Sequence, residues 1–515
     1  MNKPAVFIIG FCLAVLFGVP LFFQGDFAKV PKGTAQVIII TPHNEQIRHE
    51  FAKGFAKWHK KIYGEPAQVV WSVPGGTSEI RRMLISQYKH ALETGKEPGG
   101  EADLVFGGGS YEHGVLKKTI TVTIDGEESS TTISVPTTID KEILHEVYGE
   151  NSIGDITIYD PEGYWHGLAL SGFGIVYNNE VLADLEIESP TTWEALCNPA
   201  LFGKLALVNP AQSGSVTTAF EAILKNLGWD RGWQVLRRAA ANARYFSASS
   251  LKPPADVSQG DAAMGVSIDF YGRYQAQAVK SSGGGDRVGY IDPPRATMID
   301  PDPISLLRGA PNKEMAVRFI TYGMTKEAQA LWQFEINDEV DDDLGPDKFE
   351  LRRMPVRREM YAKYIGRMVD QINPYETARP APYPDRNMRA FIAPIFSAMA
   401  MDNHEVLMHA WETIVHHPHY PDTAAIVTAE DVTDFDLKAM LLAFDAMPMI
   451  PTNTGGELSM ATPDNRKTLK YGWLRDQWID DGLWHPEDYG SAALKRETAD
   501  FFKRQYTLIV GMHTP

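Results

Sequence analysis

The apolar positions in the first third of the chain alternate between short β-branched runs and longer segments with helical spacing. Residues 36–41, 68–73 and 102–106 have the composition of buried strands. Between them, residues 44–63 and a segment that opens at Thr77 repeat apolar side chains every three or four positions, which predicts helices. The resulting order β-α-β-α-β is typical of an open, doubly wound parallel sheet.

The rest of the chain continues this alternation and then changes character. Residues 119–135 alternate around Asp125 and Gly126 and predict an inserted surface hairpin. Further strands are predicted at 166–177, 205–208, 265–269, 288–291 and 303–307. Further helices are predicted at 215–227, 313–332, 389–414 and 438–446. We therefore expect an α/β protein that ends in a helical region.

An apolar run at residues 4–23 precedes the first strand. About 20 apolar residues are enough to span a bilayer as a helix, and no small-residue cleavage site follows Phe23. We expect residues 1–24 to be an N-terminal transmembrane anchor, with the bulk of the chain outside. A cleaved signal segment is the first alternative. A lipid anchor at Cys12 is the weakest, because cleavage there would leave too little apolar sequence upstream.

Chain length, net charge and cysteine content limit the number of domains, the kind of partner and the disulfides that this chain can have. The chain has 515 residues, more than one hydrophobic core normally serves, so at least two domains are expected. The formal net charge of −17 argues against a nucleic-acid partner. The two cysteines are Cys12 and Cys197, and with the first inside the apolar run no disulfide is expected in the remaining part.

Small polar turns follow several of the predicted strands. These turns lie at 42–44, 74–78, 107–110 and 212–217. Ligands of open α/β sheets bind outside the carboxyl ends of the strands, and a helix start presents N–H groups that suit an anion. Any one of these turns, taken alone, is better explained as an ordinary helix cap. The presence of four such turns favours a ligand site.

Several segments resemble the extracellular solute-binding proteins of ABC importers. They are 164–178 (YWHGLALSGFGIVYN), 190–193 (PTTW), 209–215 (NPAQSGS), 102–109 (ADLVFGGG) and 258–263 (SQGDAA). The nearest subgroup contains ferric-iron, phosphonate and sugar-phosphate binders, and the resemblance covers about residues 36–361. It implies a type II periplasmic-binding-protein clamshell in the periplasm or at the extracellular face of the membrane, working with ABC permease subunits.

The resemblance also implies a division of the chain. Lobe one would hold 36–165 and 287–350, and lobe two would hold 175–286. The hinge would cross near residues 170–175 and again near 286–290. A helical extension at 362–515 lies beyond the usual end of the family, and we expect it to pack on lobe one, with a surface for the importer's membrane subunits as the alternative.

The contact positions of the family map onto eleven residues of this chain. They are His43, Asn44, Gly76, Thr77, Gly109, Ser110, Ser213, Gly214, Ser215, Asp269 and Tyr271. The expected ligand is a small anion, an organic phosphate or phosphonate, with no metal and no cofactor. Tyr271 has a second interpretation, as a group that simply packs between the lobes.

Ferric iron is the alternative ligand. The iron-binding members carry an adjacent Tyr-Tyr pair where this chain has Phe270 and Tyr271. A trivalent cation needs several anionic oxygens, so the phenylalanine removes an oxygen and a charge. Tyr274 would substitute only if the segment is helical.

No catalytic residue is predicted. His404 and His409 are five residues apart, which places them about 140° apart on a helix, too far to share a metal as the zinc-protease pattern requires. His416, His417 and His419 surround a proline and are better explained as a solvated loop than as metal ligands. Neither a G-x-S-x-G elbow nor a phosphate-binding P-loop is present. A clamshell sensor and an α/β hydrolase remain as less favoured functions.

Overall fold

The computed structural model describes residues 34–336, 344–385, 388–451, 456–462, 465 and 491–512. The apolar run at 4–23, predicted as an anchor, lies outside these residues. In the described ranges, the helices are either too short or too polar to cross a membrane.

The strands of the described residues are numbered in chain order. They are β1 Ala35–Ile40, β2 Ala67–Ser72, β3 Leu104–Phe106, β4 Thr119–Ile124, β5 Glu127–Thr132, β6 Ser134–Val135, β7 His166–Ser171, β8 Phe173–Asn178, β9 Leu205–Val208, β10 Ala243–Ser247, β11 Met264–Ile268, β12 Val288–Ile291, β13 Asp300–Leu307, β14 Met354–Pro355, β15 Met449–Pro451 and β16 Glu457–Ser459.

The α-helices are numbered in the same way. They are α1 Glu45–Tyr63, α2 Thr77–Glu93, α3 Ser110–Leu116, α4 Lys141–Tyr148, α5 Asn179–Asp184, α6 Gly214–Leu227, α7 Trp229–Ala241, α8 Lys252–Gln259, α9 Asp269–Val279, α10 Lys313–Gly323, α11 Lys326–Ala330, α12 Arg358–Tyr364, α13 Pro374–Thr377, α14 Arg389–Phe396, α15 His404–Val415, α16 Phe435–Asp445 and α17 Ser491–Met512.

Lobe one is built on a sheet with the order β14-β7-β13-β3-β1-β2, and β6 pairs with β13 at its side. Strands β2, β1 and β3 are parallel, as the alternation predicted, whereas β13 runs antiparallel to both β3 and β7. Helix α1 covers the sheet because Ile47, Phe51 and Phe55 recur at helical spacing and are fully buried. The predicted α/β fold class is confirmed.

Lobe two contains the second sheet, in the order β10-β9-β11-β8-β12. Its strands β10, β9 and β11 are parallel, and β8 runs antiparallel to β11 and β12. The predicted hairpin on lobe one is also present as β4 and β5, with Asp125 and Gly126 in left-handed conformations at the turn.

The lobes are joined by two crossings. The continuous strand predicted at 166–177 is instead two strands, because β7 pairs in the first sheet and β8 in the second, with Gly172 between them. The return runs through 292–299. The sequence assigned residues from 287 onward to lobe one, but β12 pairs with β8 in the second sheet, so the return begins a few residues later.

The later C-terminal helices, from α14 on, pack mainly on lobe two, whereas residues 368–379 pack on lobe one. The expectation that the extension covers lobe one is therefore correct only for its first part. Trp411 Nε1 donates to Asn242 Oδ1 at 2.9 Å, and Arg238 Nη1 lies 2.7 Å from Asp445 Oδ1. Arg238 is fully buried on α7, and a buried guanidinium is tolerated only with partners. The extension supplies that partner, which explains why it lies there.

Candidate functional site

A cavity of about 390 Å³ lies between the two lobes at the carboxyl ends of their strands. Six of the eleven predicted residues line it: His43, Gly76, Thr77, Ser213, Ser215 and Tyr271. The remaining lining comes mainly from Gln212, Ala248 to Leu251, Phe270, Asp302 and Arg353. Both lobes therefore contribute walls to one polar cleft.

The other predicted residues have structural partners beside the cleft. Asn44 caps α1 by accepting from the Ile47 N–H at 3.1 Å. Ser110 Oγ donates to Asp300 Oδ1 at 2.7 Å, and an added Cβ on Gly109 would meet Asp300 at 2.4 Å. These three residues of the predicted set thus secure lobe one instead of lining the cavity.

Two helix starts meet across the cleft. The N–H of Gly214, the first residue of α6, donates to Thr77 Oγ1, on the first residue of α2, at 3.0 Å. One turn further along α2, Arg82 Nη1 donates to the Ala211 carbonyl oxygen at 2.9 Å. These bonds join lobe one directly to lobe two, so the structure has the lobes in contact.

Three serine hydroxyls form a triangle at the start of α6. Ser213 Oγ lies 3.0 Å from Ser215 Oγ and 2.6 Å from Ser250 Oγ, and the third side of the triangle is 3.2 Å. Ser213 also caps the helix by accepting from the Val216 N–H. Hydroxyls can rotate to donate to a ligand, and the positive end of the α6 dipole lies at the same place.

The opposite wall contains a buried ion pair. Arg353 Nη1 lies 2.6 Å from Asp302 Oδ2, and His43 Nε2 approaches the same oxygen at 2.8 Å. The Gly108 N–H donates to Asp302 Oδ1 at 3.0 Å, so both carboxylate oxygens are satisfied. Burial alone would raise the pKa of Asp302, but Arg353 and His43 hold it below its ordinary value.

Arg353 is fixed from several directions. Its Nη2 donates to Ser171 Oγ at 2.6 Å, where β7 ends at the hinge, and its guanidinium lies 4.4 Å from the Phe270 ring centroid. Burial lowers the pKa of His43, against the opposing effect of Asp302, and this favours the neutral imidazole. Arg353 is therefore the cation of this wall and is already paired.

The backbone donors of the turns are largely used within the protein. Gly76 N–H donates to Glu79 Oε2 at 2.9 Å, and Ser110 N–H donates to Asp300 Oδ2 at 3.2 Å. With Gly214 bound to Thr77, the explanation as helix caps accounts for most of the N–H groups. A ligand would therefore meet mainly hydroxyl groups.

Asp269 and Tyr271 begin α9 beside the hinge. Asp269 is fully buried and accepts from the Gly172 N–H at 2.8 Å, and burial raises its pKa to about 7. Tyr271 lines the cleft, with its ring centroid 4.1 Å from that of Phe270, and burial raises its pKa to about 12. Its phenol therefore keeps its proton at neutral pH.

The sequence interpretation missed Asp302, Arg353 and Ser250. Arg353 lies within 36–361, the range of the family resemblance, but no role was predicted for it. Asp302 directly precedes the strand predicted at 303–307, whereas in the structure it lies inside β13, whose residues are all buried. A buried carboxylate needs a partner. Ser250 follows β10, a strand that was not predicted.

The extension reaches the edge of the cleft through Arg389. Arg389 Nη1 lies 3.0 Å from Glu221 Oε2 of α6, and its Nη2 lies 3.7 Å from Glu112 Oε1 of lobe one. Its guanidinium also lies 4.9 Å from the ring centroid of Tyr111 in lobe one. This buried arginine thus connects the extension with both lobes.

Comparisons of sequence relate part of the chain to known proteins. Residues 138–348 match the family described as bacterial extracellular solute-binding protein. The predicted resemblance to that family is confirmed by this match. An uncharacterized protein of Haemophilus influenzae is 25% identical over 203 residues, which are 38% of this chain and 56% of that protein.

A second relative is the phosphoglycerate transport regulatory protein PgtC of Salmonella typhimurium. It is 29% identical over 104 residues, which are 20% of this chain and 26% of PgtC. The chain therefore spans only about half of the Haemophilus relative and a quarter of PgtC.

Two solved structures with a similar fold are described as binding proteins. The substrate binding protein of an ABC transporter from Agrobacterium tumefaciens has a TM-score of 0.50 and 16% identity, with 72% of this chain and 95% of that chain covered. The periplasmic binding protein AfuA from Actinobacillus pleuropneumoniae, with fructose-6-phosphate bound, has a TM-score of 0.49 and 15% identity, with 73% of this chain and 97% of that chain covered. At these identities the likeness concerns the fold alone.

Proposed function

We propose that this protein is the extracellular substrate-binding component of an ABC importer and that it captures a small anionic solute, an organic phosphate or phosphonate, between its lobes. The observation that carries the proposal is the interlobe cavity, where the serine triangle at the start of α6 faces the Arg353 and Asp302 wall. The family match over 138–348 supports a binding role.

The chemistry of the cleft favours an oxyanion held by hydroxyl donors. Ser213, Ser215 and Ser250 offer directional hydrogen bonds at the positive end of a helix dipole. Arg353 adds a cation, although Asp302 neutralises it and Glu79 adds a further negative charge to the lining. The site therefore suits one oxyanion group bound at α6 better than a densely charged ligand. PgtC, a relative over one fifth of this chain, is named for phosphoglycerate transport.

Ferric iron remains the alternative ligand, and three features of the cleft disfavour it. Phe270 offers no oxygen where the iron binders have a tyrosine. The pKa of Tyr271 is raised to about 12 by burial, so a phenolate is costly to form. Both oxygens of Asp302 are already bound by protein groups. A hard trivalent cation needs several free anionic oxygens.

Uptake without chemistry is the role that we favour over catalysis. The hydroxyl groups of the serine triangle bond to one another, and His43 contacts Asp302 and Arg353 instead of a hydroxyl. A nucleophile with a bonded base, the signature of a hydrolase, is therefore not formed by these groups. The partners would be permease subunits at the membrane, with residues 1–24 as the anchor. The word regulatory in the name of PgtC keeps a clamshell sensor as the second candidate.

A calorimetric screen of the purified protein tests the proposal. The compounds are phosphate esters, phosphonates, carboxylates, polyamines and Fe³⁺. We expect saturable 1:1 binding by a phosphate ester or phosphonate, and loss of that binding when Ser213 and Ser215 are both changed to alanine. Tight Fe³⁺ binding with a tyrosinate charge-transfer colour would replace this proposal by the alternative.

A further inference from the structure

A second and larger cavity, of about 860 Å³, lies on the other side of the hinge. Its walls are α9 and β12 of lobe two, the return crossing at 292–299, the β14 edge of lobe one, and residues 370–379. Along β14 and its approach the side chains alternate, so that Arg352 and Met354 line this cavity while Arg353 lines the cleft. Within the described residues, the two cavities share no lining residue.

One side chain in this cavity has an unused donor. Arg273 is 7% exposed, and its Nη2 pairs with Asp292, but its Nη1 is buried without a hydrogen-bond partner in the described part of the chain. Asp370 Oδ2 lies 3.9 Å from Nη1, beyond hydrogen-bond distance, and Asp370 is already bonded to Arg352. A buried N–H of an arginine without an acceptor is costly, so an acceptor supplied at Nη1 would be favourable.

The remaining lining defines the chemistry of that partner. Five basic and four acidic residues line the cavity, which leaves an excess of one positive charge. Apolar walls come from Ile291, Ile299, Met354 and Ile372. The volume lies in the range of small-molecule sites, roughly 300–1,000 Å³, which are mostly apolar with a few placed polar groups.

We propose that this hinge cavity is a second ligand site that takes an amphiphilic monoanion, with a carboxylate at Arg273 and an apolar body against Met354 and Ile372. It is distinct from the cleft and does not depend on the function proposed for the cleft. The family match ends at residue 348, whereas Arg352, Met354 and residues 370–379 complete this cavity. The site is therefore formed in part by sequence that this chain carries beyond the matched region.

Calorimetry on the full chain with octanoate, octylamine and 1-octanol tests the proposal. We expect saturable 1:1 binding of octanoate and at least about tenfold weaker binding of the amine and the alcohol, since one charged hydrogen bond corresponds to roughly that factor. Arg273→Gln removes the donor, and Ile372→Trp fills the cavity from a residue that is 37% exposed. Each is expected to weaken octanoate binding at least about tenfold. Leu442→Trp, at a residue that is 59% exposed and lines neither cavity, is the matched control, expected to bind octanoate as wild type does.

The two variants distinguish a loss of folding from a loss of octanoate binding. If Arg273→Gln does not fold, as judged by its melting transition, Ile372→Trp decides the result, because it leaves the ion pairs intact. The proposal is overturned if wild type shows no saturable binding of octanoate, if octylamine binds as tightly, or if Ile372→Trp binds octanoate with unchanged affinity.

Discussion

The N–H of Gly214 donates to Thr77 Oγ1 at 3.0 Å, and so the first residue of α6 in lobe two is bonded to the first residue of α2 in lobe one. Each lobe thus presents a helix start to the other. The bond is formed only when the lobes are together, and any contact made only in the closed state shifts the hinge equilibrium toward closure.

Thr77→Val should open the protein. The substitution keeps the shape of the side chain and removes the acceptor, at a cost to the closed state of about 1 kcal/mol. We expect a larger radius of gyration than wild type in small-angle scattering. Thr94→Val at the opposite end of α2 is the control, because Thr94 Oγ1 bonds only locally, to His90 and Ala91. Equal radii for wild type and Thr77→Val would contradict a role of this bond in closure.

The Arg353 and Asp302 pair should behave as a coupled unit. Arg353→Met leaves a buried carboxylate without its cation. We expect this change to lower the free energy of unfolding by about 4 kcal/mol. Asp302→Asn in the same chain removes the unpaired charge. Urea unfolding of the two single variants and the double variant measures the coupling energy. We expect the double variant to lose clearly less than the sum of the single losses, whereas additive losses would refute the coupling.

Ser215 and Ser110 should separate binding from structure. Both were predicted as ligand contacts, but only Ser215 lines the cleft, while Ser110 bonds to Asp300. Ser215→Ala should weaken binding of the organic phosphate or phosphonate found in the screen by about 1–3 kcal/mol, the cost of an unmet hydrogen bond. Ser110→Ala should lower the free energy of unfolding and leave that affinity unchanged. The reverse pattern in calorimetry would move the site toward Asp300.

Tyr271 should act as a protonated donor from lobe two. Tyr271→Phe is expected to weaken binding, because a phenol with a pKa of about 12 keeps its proton throughout the neutral range and can donate a hydrogen bond. Tyr271→Ala should in addition reduce the compaction that ligand causes in small-angle scattering. If Tyr271→Ala binds and compacts as wild type does, the ring is only a packing group against Phe270.

His166 should make folding sensitive to acid. Burial lowers its pKa from 6.5 to about 4. Between these values the unfolded chain binds a proton that the folded chain does not, so the free energy of unfolding falls as the pH falls from about 6.5 to 4. His166→Phe lacks this contribution, and its stability should fall by roughly 3 kcal/mol less over the same range. Urea unfolding of both proteins at several pH values measures the difference, and parallel pH profiles would disprove the assignment.

Local features of the sequence were sufficient for most elements of the two lobes. β-branched runs predicted β1 and β2, and a short apolar run predicted β9. Asn44 and Ser213 were recognisable as residues that cap helices. The turn at Asp125 and Gly126 followed from the same kind of signal. These features depend on conformational preferences and side-chain spacing within a few residues, which the sequence contains directly.

Tertiary structure determined the hydrogen-bond partner of each polar group in the cleft. The sequence predicted turns with free N–H groups, but Glu79, Thr77 and Asp300 accept from them once the chain is folded. Asp302 and Arg353 are 51 positions apart and meet only because β13 and β14 both pair with β7. No local preference encodes such a contact.

The sequence by itself determined the α/β class, the order of the elements and the family resemblance, because these follow from periodicity and short motifs. Tertiary structure alone decided that the strand at 166–177 breaks at Gly172 between two sheets, since both halves are equally apolar and their pairing partners lie far along the chain. It also decided that the later helices of the extension cover lobe two, through pairs such as Arg238 with Asp445, which are 207 positions apart. A buried charge is tolerated only next to a charge of opposite sign, and the whole fold determines which two charges become neighbours.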